Sequence, residues 1–427
     1  MSKNKALIGM GILNFLGCLD LTIVNTALPD IQQYFHVSDA HLQWTINALL
    51  LALTSTMVLV GKLGDRYGRR FMLYVGMILF AITSLGAMLS SQFEMLVVFR
   101  FFQGISIGIL YTAPVALMPA VFPDRVEKAM SIMIAVSGLG LALGPVLGGF
   151  LTSLFSWKAI FLINLPLTLL AYVCCRGSIS ESKSNTLEKL DLPGVLLMVM
   201  ALPILIYTTV NIHEMPWSQT VMAYAIFLCL AALFVLREIK ASSPIIDFHL
   251  FGNRDFIRGL IANFFMAFFY CISFFFIPLH LSEIGYGVGT IGLILLPAML
   301  MVAIFSPFTS RWVERFGAKK LILLGYGLFV ISAAWQGYFM HDTNVLWLFP
   351  GYLALGLGWA LVLSPALTTG VTSLPKEVGG VAIGSLGTTH NLGGTIGLAL
   401  GVSLGYAHAM ILTGLTSLVS LGLIGLL

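Results

Sequence analysis

Charge is what this sequence has least of. Only 9% of its 427 residues are Asp, Glu, Lys or Arg, against roughly a quarter in a soluble domain. That excludes an ordinary soluble fold. Cysteine is scarce too: Cys18, Cys174, Cys175, Cys229 and Cys271 form an odd set with no Cys-x-x-Cys spacing. They predict neither a metal site nor a disulfide framework. The phosphate-cradling loop G-x4-G-K-[ST] is missing, which argues against ATP-driven chemistry. No His/Cys cluster and no nucleophile motif points to an enzyme, so no metal and no cofactor is expected. The N-terminal MSKNK and its apolar continuation imitate a secretion signal. They lack a small-residue cleavage site, so the stretch reads as an uncleaved first helix.

Apolar runs fill the space that charge leaves. The chain is 58% hydrophobic and holds 43 glycines. Runs of about 20 such residues are long enough to cross a bilayer as helices. The pattern predicts an all-α polytopic membrane protein with fourteen spans. Helices 1 to 6 are expected at 6–28, 42–60, 71–89, 95–118, 128–151 and 159–175. A polar segment, RGSISESKSNTLEKLD, then separates two halves. Helices 7 and 8 follow at 192–210 and 221–236, and a second mixed stretch leads to helix 9 at 257–279. Helices 10 to 14 are expected at 288–310, 321–340, 345–366, 378–404 and 407–427.

The few charges that remain set the topology. A net charge of +4 would suggest an acidic partner in a soluble protein. Here cytoplasmic loops account for it, and no nucleic acid is expected. With the N-terminus inside and the sides alternating, every Lys and Arg except Lys158 and Arg100 falls on the cytoplasmic side. Both termini are therefore expected in the cytoplasm, and the protein in the cytoplasmic (inner) membrane.

The decapeptide GKLGDRYGRR at Gly61–Arg70 joins helices 2 and 3. Its glycines and charges read as a short hairpin at the membrane surface, turning through Gly64 and Gly68. Gly61, Asp65, Arg66, Gly68, Arg69 and Arg70 fit the pattern G-x-L-x-D-R-x-G-R-R, which resembles the loop between helices 2 and 3 of the major facilitator superfamily. A degenerate copy, SRWVERFGAK at Ser310–Lys319, sets Glu314 on Asp65, Arg315 on Arg66, Gly317 on Gly68 and Lys319 on Arg70. Two similarly oriented six-helix bundles follow from that repeat, with residues 1–176 and 256–427 as the bundles. Helices 7 and 8, within 177–255, read as an inserted pair.

Two intramembrane charges are the candidates for chemistry. Asp20 is the only carboxylate expected well inside the hydrocarbon, where a charge costs about 2.5–3.5 kcal/mol on insertion scales. Arg100 is the only base there. At 1.5 Å per residue they lie roughly 12 Å and 8 Å from the outer ends of their helices, so a pair is feasible. A purely structural ion pair and a functional one are both open at this point. LDLTIVNTALP, which contains Asp20 and Asn25, resembles the first-helix motif of the fourteen-helix drug:proton antiporters. LVVFRFFQGISIG resembles the superfamily's helix 4 motif, with Arg100, Gln103 and Gly104 on its key positions. The resemblance implies that Asp20 and Arg100 serve proton coupling.

Helix 5 carries GLGLALGPVLGG, with Gly140, Gly144 and Gly148 on one stripe suited to close helix packing. Pro145 permits a bend. With Gly149, the run resembles the antiporter motif G-x8-G-x3-G-P-x2-G-G, with Ser131 in place of its first glycine. That motif is associated with exporters. Helix 13 has a comparable run in which His390 and Asn391 either face substrate or form hydrogen-bonded packing. Tyr111, Phe268 and Trp359 are candidates for an aromatic cavity together with Asn25 and Gln103. The resemblance as a whole implies a monomeric, proton-driven exporter of small hydrophobic or cationic compounds, working by alternating access. A dedicated exporter of a metabolite such as a siderophore or amino acid is the alternative. A non-transporting sensor or scaffold has no soluble domain to support it.

Overall fold

Inside a bilayer a backbone has no water to bond, so long apolar segments close their N–H and C=O groups as helices. A computed structural model describes residues 2–123, 126–182, 191–241, 244, 246, 248–339, 344–374 and 379–427. The chain begins with α1 (Ser2–Phe35), α2 (Asp39–Leu42), α3 (Trp44–Tyr67), α4 (Arg69–Met88) and α5 (Phe93–Val121). It continues with α6 (Val126–Leu154), α7 (Ala159–Leu162), α8 (Asn164–Cys175), α9 (Leu192–Val210) and α10 (Trp217–Lys240). Then come α11 (Arg254–Glu283), α12 (Val288–Phe305), α13 (Thr309–Phe316) and α14 (Ala318–Phe339). The last three are α15 (Phe349–Thr372), α16 (Gly379–Leu404) and α17 (Tyr406–Leu426). Among the described residues eleven helices are long and apolar enough to cross a membrane. The number is twelve if Asp39–Met57 and Leu59–Tyr67, bent by 49° to each other, form one span. Ser131's side chain, and Arg125, Lys183, Lys189 and Lys376 among the basic residues expected on the cytoplasmic side, lie outside the described residues.

Three boundaries differ from the expected ones for physical reasons. The first helix runs through Pro29 to Phe35 and does not stop at Leu28. Only the last turns lose a hydrogen bond to the proline, and buried Ile31 holds them in place. The second helix continues through Gly64 to Tyr67, so only Gly68 makes the turn, at φ 120°. An L side chain is strained in that region and glycine is not. The tenth expected helix ends at Phe305 and restarts, after a 3-10 turn, as the short amphipathic α13. That helix ends on Gly317 at φ 82°, matching Gly68 in the degenerate repeat.

The helices cluster into two units, one of Met1–Val37, Trp44–Leu190 and Gly285–Leu293, the other of Ser38–Gln43, Asp191–Ile284 and Ile294–Leu427. In the first, α1 lies along α6 and α8, and α5 along α3 and α4. In the second, α11 lies along α16 and α15, and α14 packs between α15 and α17. Glycine makes the closest approaches in both. A Cβ on Gly140 would sit 2.6 Å from the Phe15 carbonyl oxygen, and Cβ atoms on Gly144 and Gly148 would collide with Thr22 and Ile23. Thr22 Oγ1 uses that proximity to donate to the Leu141 carbonyl at 3.2 Å. On α16 the stripe Gly393, Gly397 and Gly401 meets Phe264, Phe268 and Ile272 in the same manner. Gly149 and the Pro145 carbonyl face the start of α12, at Val288 and Gly292.

The pair α9 and α10 packs on the second unit through α9, which touches α16. On α10 only Thr220 and Glu238 are buried, so its apolar surface is exposed almost all round. Where α9 begins and α10 ends, Asp191 accepts from the Gly194 amide at 3.3 Å and from Arg237 Nε at 3.1 Å. Glu238 accepts from the Ile246 amide at 3.0 Å.

Candidate functional site

Asp20 and Arg100 meet. Arg100 Nη1 donates to Asp20 Oδ2 at 2.5 Å, with the two side chains 2% and 0% exposed. The rest of the guanidinium is also engaged: Nε donates to the Thr45 carbonyl at 2.9 Å, and Nη1 to Gln103 Oε1 at 2.8 Å. Its plane lies over the Phe161 ring, 5.8 Å from the centroid. The second Asp20 oxygen accepts from Gln103 Nε2 at 3.1 Å and Asn164 Nδ2 at 3.2 Å. Both amides also donate to Ser84 Oγ, at 3.0 and 3.1 Å. Five helices, α1, α3, α4, α5 and α8, thus converge on one carboxylate. A buried charge pair is stable only when its remaining lone pairs and protons are matched in this way.

The Gly61–Arg70 loop is built as a joint. Asp65 accepts from Arg69 at 2.7–2.8 Å one helical turn later, and Arg69 Nη1 donates to the Ala116 carbonyl of α5 at 2.9 Å. Gly68 opens α4, whose first amides need acceptors. Glu181, from the segment after α8, supplies them. It accepts from the Arg70 amide at 3.0 Å and the Phe71 amide at 3.1 Å, while the Arg69 amide donates to the Ser182 carbonyl at 2.9 Å. A Cβ on Gly68 would stand 2.6 Å from the Glu181 carboxyl carbon. Glycine is required there twice over, by φ and by the cap.

A second polar group of residues lies in the other unit. Tyr270 stacks on Trp359 with ring centroids 4.4 Å apart, and Phe274 meets Trp359 edge-on at 5.8 Å. The Tyr270 hydroxyl lies 3.3 Å from His390 Nε2. Phe268 lies under Gly397 in the α11–α16 contact, and Asn391 is buried beside His390 on α16. In the first unit, Tyr111 hydrogen-bonds Cys18 at 3.0 Å, and Asn25 is buried on α1. Gln103 is a member of the ion-pair network.

A family model described as the Major Facilitator Superfamily matches residues 10–398. The chain belongs to the Major Facilitator Superfamily. Within that superfamily it is 32% identical over 400 residues to the Multidrug resistance protein Stp of Mycobacterium tuberculosis (strain CDC 1551 / Oshkosh), covering 92% of this chain and 74% of that protein. It is 31% identical over 392 residues to the Tetracenomycin C resistance and export protein of Streptomyces glaucescens, covering 90% and 72%. The crystal structure of the POT family transporter PepTSo shares the fold, with a TM-score of 0.75 at 14% identity over 99% of this chain and 97% of that one.

For this Major Facilitator Superfamily protein, sequence reasoning found both charges of the buried pair and missed three members of the network around them. Ser84, Asn164 and the Thr45 carbonyl carry no local signature, because one polar residue on an apolar helix looks like any other until its neighbours are known. Asn164 had a signal of sorts, an amide inside an otherwise apolar run. Glu181 was hidden in a polar segment that reads as a linker.

Proposed function

We propose that this chain is a proton-coupled exporter, exchanging protons for small hydrophobic compounds by alternating access in the cytoplasmic membrane. The Asp20–Arg100 pair is the observation that supports it most. Each of Asp20's partners donates to its oxygens, so Arg100 and a proton are alternative partners for the same carboxylate. A rearrangement that withdraws Arg100 would strand a buried charge, and taking up a proton relieves it. Return of Arg100 would expel that proton. Such an exchange needs no cofactor beyond the proton gradient.

Export as the direction draws support from the glycine stripe of α6, and from two relatives whose names record drug resistance and export. A fourteen-span topology with cytoplasmic termini fits the same reading. The bent pair Asp39–Met57 and Leu59–Tyr67, the shorter apolar helix Ala159–Cys175 and the 26-residue α16 would supply the spans beyond the eleven. Residues 1–176 and 256–427 then act as the moving bundles of a monomer.

Asp20→Asn tests the coupling. The purified wild-type protein should release protons when substrate is added, and the variant should not, while still eluting as a folded species. Undiminished release by the variant would remove Asp20 from this role.

A further inference from the structure

The aromatic group in the second unit has unfilled hydrogen-bonding capacity. Asn263 is fully buried, yet neither its side-chain oxygen nor its side-chain nitrogen has a protein partner. Trp359, 2% exposed, likewise holds an indole N–H without an acceptor. Leaving such groups dry is costly, and native structures almost always satisfy them. The two belong together on the α11–α15 seam. Gly259, one turn before Asn263, faces the Ala366 carbonyl of α15, and Tyr270 and Phe274 further along face Trp359. Residues 259, 263, 270 and 274 fall on one helical stripe, so Asn263 points toward the helix that carries Trp359.

The chemistry on offer is neutral. Asn263 brings one acceptor and two donors, and Trp359 brings one donor. His390 Nε2 lies 3.3 Å from the Tyr270 hydroxyl. No carboxylate stands in the group. Asp20, the one carboxylate deep in a span, has both oxygens occupied by Arg100, Gln103 and Asn164. A cation would also need an open aromatic face. Trp359 and Tyr270 cover each other's faces at an interplanar angle of 11°, and Phe274 meets Trp359 edge-on.

We propose that Asn263, Tyr270 and Trp359 form a substrate site for uncharged planar aromatic molecules bearing carbonyl and hydroxyl or amide groups, and that permanent cations are rejected. This rests on the reading of the chain as an exporter and narrows its substrates. A carbonyl takes an indole or amide N–H group, a hydroxyl or amide N–H donates to Asn263 Oδ1, and the ring system lies at the edge of the Tyr270–Trp359 stack. Nothing at the site compensates a positive charge brought out of water.

Equilibrium binding to the purified full chain in lipid nanodiscs tests the site without a proton gradient. Three planar probes are compared: hydroxymethylanthraquinone (neutral), anthraquinone sulfonate (anionic) and ethidium (cationic). The neutral probe should bind at least about tenfold more tightly than ethidium. Asn263→Leu and Trp359→Leu should each weaken it by about tenfold, and Asn263→Ala replaces the leucine variant if that does not fold. Ethidium binding as tightly as the neutral probe overturns the proposal. So does unchanged affinity in the folded Asn263 variants, which would mean that ordered water alone satisfies the amide. Tighter binding of the sulfonate than of the neutral probe overturns the claim of a neutral site. Loss of proton release in wild-type protein with this binding pattern intact would fault the coupling and not the site.

Discussion

Arg100 and Tyr352 stand at equivalent places in the two units. Each lies four residues before a glycine on which its helix rests: Gly104 on the Leu49 carbonyl of α3, Gly356 on the Ala298 carbonyl of α12. By the same measure Asp20, five residues after the Phe15 carbonyl that Gly140 approaches, matches Phe269, five after the Phe264 carbonyl that Gly393 approaches. The repeat thus keeps its backbone contacts and loses its charges. One unit holds an ion pair and the other holds aromatic rings, a division that suits proton exchange in the first and neutral substrates in the second.

Removing one member of the pair should cost more than removing both. Arg100→Leu leaves a buried carboxylate without its cation, a change that typically costs about 3–5 kcal/mol. The double variant Asp20→Asn/Arg100→Gln leaves no charge, and should regain much of that loss in thermal unfolding of the detergent-solubilised protein. A double variant less stable than Arg100→Leu would show that the pair itself, and not the stranded charge, carries the stability.

The loop variants should separate movement from selectivity. Asp65→Asn weakens the hold on Arg69 and so loosens the joint to α5, shifting the inward/outward population measured by spin-label distances while the substrate spectrum stays the same. Glu181→Ala should speed amide hydrogen exchange at Arg70 and Phe71, because exposed capping acceptors are worth about 0.5–1 kcal/mol. A changed substrate spectrum with unaltered exchange between states would contradict the reading of this loop as a joint.

Glycine stripes predict a steep size dependence. Gly144→Leu and Gly397→Leu each drive a side chain into a helix already in contact, and overpacking of that kind costs about 1–3 kcal/mol. Expression and melting temperature should fall in both. Gly422→Leu on α17, where an added Cβ meets nothing within 4 Å, should be neutral. Equal tolerance at all three positions would disprove the close-packing role.

Cysteines placed on the inserted pair should report lipid, not substrate. Leu196 and Met200 on α9 and Ile226 on α10 are exposed. Cysteine at these positions should react with a membrane-permeant maleimide at the same rate with and without hydroxymethylanthraquinone. A cysteine replacing Phe274, which meets Trp359 edge-on, should be protected. Protection at Met200 or Ile226 as strong as at Phe274 would bring α9 and α10 into the transport path.

Properties that repeat locally were legible in the sequence. Apolar runs must become helices in a bilayer, glycines four apart must make a smooth stripe, and a lone Asp20 in an apolar run must find a partner. Both members of the ion pair follow from such rules, while the family and the Gly61–Arg70 motif were legible through resemblance. Rotation of each helix about its axis is not local, because it is decided by every neighbour's side chains at once. Only the tertiary structure could therefore bring Asn164 to Asp20 and Ser84 to its amide, turn Gln103 into the pair's bridge, lay Glu181 across the start of α4, and leave the buried Asn263 amide unfilled.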